Sequence, residues 1–217
     1  MEQFKKYGKT EYFSFSEKVS REDRKLSEEE EEEYFGGKYG VASLKLDGEN
    51  TTIVRQKYYA RSINSISDES RHNIGMIWGR INYLLEDGER IIGENLRAVH
   101  TISYENDTQI NGDFYVFSHI KNGIVSSVSH TKEICEKFGL LHVPIIYEGI
   151  FDRKKILEEF KKYPNHEGFV FRLSDSFDEA DMSKSIAKFV SNSFEIKTNI
   201  HWQQAKKTIF KNGKIQK

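Results

Sequence analysis

The sequence predicts an α+β domain with mainly antiparallel sheet. Three observations predict it. Short runs rich in Tyr, Phe, Ile and Val recur along the 217 residues, the composition of strands. Turn dipeptides, Asp47-Gly48 and Asn122-Gly123, join successive runs in the manner of hairpins, which favours antiparallel pairing. Between the runs lie a few segments whose apolar residues recur at helical spacing.

The elements run in order along the chain. Residues 1–33 are charged and broken, and read as an N-terminal extension; regular patterning starts near Tyr34. Residues 40–46 read as a strand, Asp47-Gly48 as a turn and residues 51–59 as the return strand. Ser67 or Asp68 is suited to cap a helix carrying Ile74, Ile77, Trp78, Ile81, Leu84 and Leu85, ended by Asp87-Gly88. Residues 90–94 and 112–120 read as strands, and Asn122-Gly123 turns the chain into residues 124–128. Ser129 is expected to cap a helix through Phe138, stopped by Gly139. Residues 141–151 are strand-like, and residues 152–163 form an amphipathic helix with Ile156, Leu157 and Phe160 on one face. Strands at 168–173 and 185–190 come next, and Asn199 opens a last helix with Trp202, Ala205 and Ile209. The domain therefore spans residues 34–198, with a basic helix or tail at 199–217.

Composition narrows the function classes. Net charge is −1, so overall charge carries no nucleic-acid signal. The charge is uneven: Glu28 to Glu33 form an acidic run, while Lys206, Lys207, Lys211, Lys214 and Lys217 make the end basic. Such runs are commonly solvated surface; the alternative is that the basic tail helps hold phosphates. Cys135 is the single cysteine, which excludes an internal disulfide or a cysteine-based metal cluster. None of the seven histidines has zinc-like spacing, so they read as structural. No segment has the length of a membrane span or the pattern of a signal peptide, so an intracellular, cytoplasmic monomer is expected.

The informative stretch is Lys45-Leu46-Asp47-Gly48-Glu49-Asn50. Alone it is compatible with an ordinary hairpin, since Lys-x-Asp-Gly should arise by chance in on the order of a few per cent of chains this long. Its weight comes from four later segments, in this order: Gly93-Glu94-Asn95-Leu96, Phe114-Tyr115-Val116-Phe117, Glu167-Gly168-Phe169-Val170-Phe171-Arg172, and Ala187-Lys188-Phe189-Val190. In these segments and their order, the chain resembles the covalent nucleotidyltransferases, the superfamily of DNA ligases, RNA ligases and mRNA capping enzymes. The resemblance spans roughly Tyr39 to Trp202.

It implies two antiparallel sheets flanked by helices, with ATP in the cleft between them. Lys45 matches the lysine that attacks the α-phosphate of ATP. Its amine must be neutral to do so, and neutralising a free lysine at pH 7 costs roughly 4 to 5 kcal/mol, so burial, nearby cations or a metal must lower its pKa. Leu44 and Leu46, on either side, are expected among the ATP-binding residues. Glu94 resembles the acidic residue that binds the ribose hydroxyls, and Phe117 the aromatic that stacks on adenine. Phe114 and Phe117 lie on opposite faces of one strand, so one of the two belongs to the core. Glu167, with Glu94, resembles a carboxylate ligand for Mg²⁺ or Mn²⁺. Lys188 resembles the last-motif lysine on the α-phosphate, although that motif has a second lysine two positions earlier and Ile186 stands there. Arg61 matches an arginine that grips ribose or strand phosphate.

Asn50 stands where DNA ligases and capping enzymes usually carry Arg and RNA ligases often carry Asn. The resemblance thus implies an ATP-dependent RNA ligase joining 5′-phosphate and 3′-hydroxyl ends through a lysyl-AMP intermediate, with RNA as partner and DNA or mixed nicks as further substrates. Only about 27 residues lie beyond Val190, too few for the OB-fold domain common in such enzymes, so a minimal form is expected. The rival readings are a minimal DNA ligase, a capping-type guanylyltransferase, and a non-catalytic nucleotide- or RNA-binding module on the same fold.

Overall fold

The computed structural model describes residues 4–20, 23–61, 69–104 and 106–192. The expected helix at 199–217 and the expected caps Ser67 and Asp68 lie outside the described residues. In chain order the strands are β1 (Glu11–Tyr12), β2 (Tyr39–Lys45), β3 (Glu49–Ile53), β4 (Tyr58–Ala60), β5 (Glu89–Asn95), β6 (Phe114–Lys121), β7 (Ile124–Val125), β8 (Leu141–His142), β9 (Ile145–Ile150), β10 (Gly168–Leu173), β11 (Phe177–Asp178) and β12 (Ile186–Val190). The helices are α1 (Glu28–Phe35), α2 (His72–Ile81), α3 (Val128–Phe138), α4 (Arg153–Phe160) and α5 (Met182–Ser185).

The strands form two sheets. The first has the order β1-β12-β10-β2-β9, and all its pairs except the parallel β1–β12 pair are antiparallel. The second has the order β11-β7-β6-β5-β3-β4, with β8 beside β6. Only two residues, Leu46 and Asp47, and the turn at Gly48 carry the chain from β2 in one sheet to β3 in the other. The dipeptide read as a simple hairpin turn is therefore a sheet-to-sheet crossing, because β2 pairs with β10 and β9, and β3 with β4 and β5.

Alternation explains which side of the first sheet meets the second. Ala42, Leu44, Phe169, Phe171, Ala187 and Phe189 point one way into the main core, where Phe13, Phe35, Ile156 and Phe160 cover them. Ser43, Lys45, Val170 and Lys188 point the other way. A smaller cluster of Tyr7, Ile92, Ile120, Val125, Met182 and Ile186 joins the two sheets on that side. A third cluster, with Ile74, Ile81, Ile91, Phe114, Ile134 and Phe138, buries α2 and α3 against the outer face of the second sheet.

Local signals account for most element ends. Asn122 (φ 51°) and Gly123 (φ 81°) take the left-handed conformations that a tight hairpin between β6 and β7 requires. Gly139 ends α3 in the left-handed region (φ 62°). The helix starts earlier than expected: Ser127, not Ser129, accepts from the His130 amide as N-cap. Pro144 divides the expected strand 141–151 into β8 and β9, since it has no amide to donate.

The described residues among the first 33 pack onto the domain. β1 lengthens the first sheet, Phe13 is fully buried in the main core, and α1 opens on a Ser27–Glu30 capping box. Few apolar residues sit in this segment, but Phe13, Phe15 and Leu26 all pack into the main core, which composition alone cannot show. Among the described residues no helix is long and apolar enough to cross a membrane.

Candidate active site

Lys45 is the last residue of β2, and Glu167 immediately precedes β10. Because Lys45 pairs with Gly168, the two side chains meet: Lys45 Nζ lies 2.5 Å from Glu167 Oε2, with 26% and 18% of the side chains exposed. Burial works to lower the Lys45 pKa, but the Glu167 charge and hydrogen bond, helped by Glu94 and Asp47, prevail and hold it above the usual lysine value. Without ligand the amine is therefore an ammonium. Of the lowering influences expected, burial is present, while the charged groups that act on the amine are carboxylates.

The crossing turn brings the other carboxylates in. Asp47 Oδ2 accepts from the amides of Thr101 (2.7 Å) and Ile102 (2.9 Å), and the Asp47 amide donates to Tyr104 Oη (2.8 Å). The Gly48 amide donates to Glu94 Oε1 at 3.1 Å. A Cβ on Gly48 would stand 2.4 Å from the Asn95 carbonyl oxygen, so only glycine lets this turn lie against the end of β5. Burial pushes the Glu94 carboxyl up to about 8; Lys45 and the Gly48 amide pull it down, while Asp47 and Glu167 push it further up. A carboxyl raised this far can offer a donor as well as an acceptor, a suitable partner for hydroxyl groups. Glu94 faces Asn50 across the β3–β5 pair, and Asn50 Oδ1 is buried without a hydrogen-bond partner among the described residues.

One amine, three carboxyl groups and an unpaired amide oxygen thus converge where the chain passes between sheets. Residues 38–190, well over half of the chain, match the RNA ligase family. The chain belongs to the RNA ligase family. A search of curated proteins gives no match. Among solved structures, it is similar to a mutant Naegleria gruberi RNA ligase with ATP and Mn (19% identity, TM-score 0.55, covering 72% of this chain and 51% of that one). Another Naegleria gruberi RNA ligase mutant, with AMP and Mn, aligns at 19% identity and TM-score 0.56, covering 76% and 53%. A putative ATP-dependent DNA ligase from Aquifex aeolicus aligns at 22% identity and TM-score 0.51, covering 74% and 46%. These likenesses establish the fold, that of a ligase adenylation domain. The chain spans about half the length of the solved structures it matches.

The remaining expected positions of this RNA ligase family chain are distributed less tightly. Leu44 and Leu46 are 2% and 5% exposed in the main core. Leu44 alternates with Lys45 along β2 and so faces away from its amine, and Leu46 follows the end of the strand. Phe117 is partly buried between the two sheets. Ile92 pairs with Ser118 and Gly93 with Val116, so Phe117 is the extra residue of a bulge, turned between the main core and the inter-sheet cluster, with Tyr7 edge-on at 5.3 Å. Phe114 packs on the outer face, as the opposed-face reading expects.

Lys188 shares the sheet face of Lys45, two strands over and two residues along, which puts their Cα atoms about 12 Å apart. Its ammonium pairs with Asp23 at 2.7 Å and lies 4.1 Å from the centroid of the Tyr12 ring, away from Glu167. Arg61 is exposed at the end of β4, its amide bonded to the Asn50 carbonyl. Asp47, Tyr104 and Asp23 were not among the expected site residues. Asp47 was legible in the Lys-x-Asp-Gly stretch; nothing in the sequence marks Tyr104 or Asp23.

Proposed function

We propose that this chain is an ATP-dependent RNA ligase whose Lys45 becomes adenylylated. The observation that carries the reading is the pairing of Lys45 with Glu167 beside Glu94 and Asp47, where the chain passes from one sheet to the other. The family match supports it, as do the similar structures, which include ATP, AMP and Mn complexes of an RNA ligase.

Lys45 Nζ attacks the α-phosphorus of ATP, the bond to the β-phosphate oxygen breaks, and pyrophosphate leaves with that electron pair. Two protons leave the nitrogen, one before attack and one as the N–P bond forms; Glu167 is the nearest acceptor for the first. Glu94 and Asn50 bind the nucleoside, Phe117 stacks on the base, and Arg61 and Lys188 meet phosphates. AMP then passes to a 5′-phosphate end, and a 3′-hydroxyl displaces it.

The described residues hold no group of three or more His, Cys, Asp or Glu placed for a metal. Glu167 and the ionised form of Glu94 would hold Mg²⁺ or Mn²⁺, since Mg²⁺ commonly takes only one or two carboxylates and otherwise water and phosphate. When bound, such an ion supplies positive charge against the phosphate oxygens.

The test is intact mass after incubation with ATP and Mg²⁺. Wild type should gain one AMP and Lys45→Ala none; an unmodified wild type overturns the reading in favour of a nucleotide- or RNA-binding module. Joining assays on nicked RNA and nicked DNA then decide the substrate. The likeness to a DNA ligase keeps DNA as the second reading.

A further inference from the structure

Residues 96–113 connect β5 to β6, and midway they lie across the Lys45 turn. Thr101 and Ile102 hold the Asp47 carboxylate through their amides, and Tyr104 Oη accepts from the Asp47 amide. The connection is itself anchored, because Ile102, Tyr104 and Ile110 are buried in the main core. On its far side the Tyr104 ring lies 5.5 Å from the His166 ring, at an interplanar angle of 41°. His166 is 3% exposed, its Nε2 is 3.2 Å from Asp107 of the same connection, and the next residue is Glu167.

A single side chain thus touches both chain segments whose ends form the ion pair. Lys45 is where β2 stops, so the ladder no longer fixes the backbone beyond it. Without Tyr104 Oη, the part-buried Asp47 amide would lose its acceptor. The turn would then settle elsewhere, and in-line attack tolerates little displacement.

We propose that Tyr104 is a positioning residue for the nucleophile: its hydroxyl fixes the Asp47 turn and its ring, through His166, fixes Glu167 against Lys45. The proposal rests on the reading of Lys45 as nucleophile.

The experiment compares wild type with Tyr104→Phe, which keeps the ring and removes the hydroxyl. Two quantities are measured: single-turnover AMP attachment across ATP concentrations, and labelling of the Lys45 amine by acetic anhydride in the ligand-free protein at one pH, read by peptide mass. The maximal rate should fall about tenfold or more, with half-saturating ATP changed less than about threefold, as expected for lost positioning rather than lost binding. Lys45 labelling should change while that of exposed Lys154 does not, which also excludes general unfolding. Unchanged rate and labelling overturn the proposal. So does a loss confined to ATP affinity, which would make Tyr104 a nucleotide contact. If wild type takes up no AMP, the proposed function fails, and the labelling comparison alone decides whether Tyr104 positions Lys45.

Discussion

Lys45 and Glu167 stand 122 positions apart in the chain and 2.5 Å apart in space, so the proposed nucleophile is held as an ammonium by the carboxylate next to it. AMP attachment needs the neutral amine, and with the pKa raised, the neutral fraction grows with pH throughout the neutral range. The rate of AMP attachment should therefore climb by up to about tenfold per unit between about pH 6 and 8. In Glu167→Gln the main raising influence is gone and burial lowers the pKa, so the profile should move to lower pH. Single-turnover rates across pH check this, and an identical midpoint in the two proteins would sink it.

Glu94 gives a stability prediction of definite sign. Its carboxyl is pushed from the ordinary 4.5 to about 8, so between those values the folded state binds more protons than the unfolded one. This contribution is fully present below about pH 4.5 and is lost as pH rises toward 8. Glu94→Gln cannot ionise and should melt several degrees above wild type at pH 8.5, with the difference shrinking toward pH 5. Parallel melting curves that keep a constant offset would contradict it.

Lys188 and Asp23 should respond oppositely. If the Lys188 ammonium contacts ATP phosphates, Asp23 competes for it. Asp23→Asn should lower half-saturating ATP, whereas Lys188→Ala should raise it roughly tenfold, the worth of one charge-assisted contact. Titration of AMP attachment against ATP measures both, and shifts in the same direction would rule out the competition.

Phe13 tests whether the N-terminal segment belongs to the domain. It is fully buried, stacked on Phe15 and Phe151 at 5.0 and 5.5 Å. Phe13→Ala should cost about 3–5 kcal/mol. For a domain of this size that lowers the melting temperature by roughly 10 °C. A shift of only a degree or two would mean that the segment is dispensable.

What the residues declare locally, the chain obeys. Asn122-Gly123 and Gly139 take the left-handed backbone their types permit, the apolar spacing of Ile74 and Ile81 buries α2, and the ordered motifs place Lys45, Glu94 and Glu167 together. That Phe117 and Phe114 take opposite faces was legible from alternation, but not the bulge at Phe117, since a bulge depends on the partner strand's register. Leu44 and Leu46, expected at the nucleotide, have side chains buried in the main core, so any contact with it would be through their backbone.

By itself the sequence determined the fold class, the order of its motifs and the identity of the amine at position 45, because dihedral preference, periodicity and spacing reside in neighbouring residues. The tertiary structure alone decided the charge state of that amine, the raised pKa of Glu94, and the contacts of Asp47 with Tyr104 and of Lys188 with Asp23. Those depend on burial and on distances between residues far apart in the chain, which exist only once the two sheets have closed on each other.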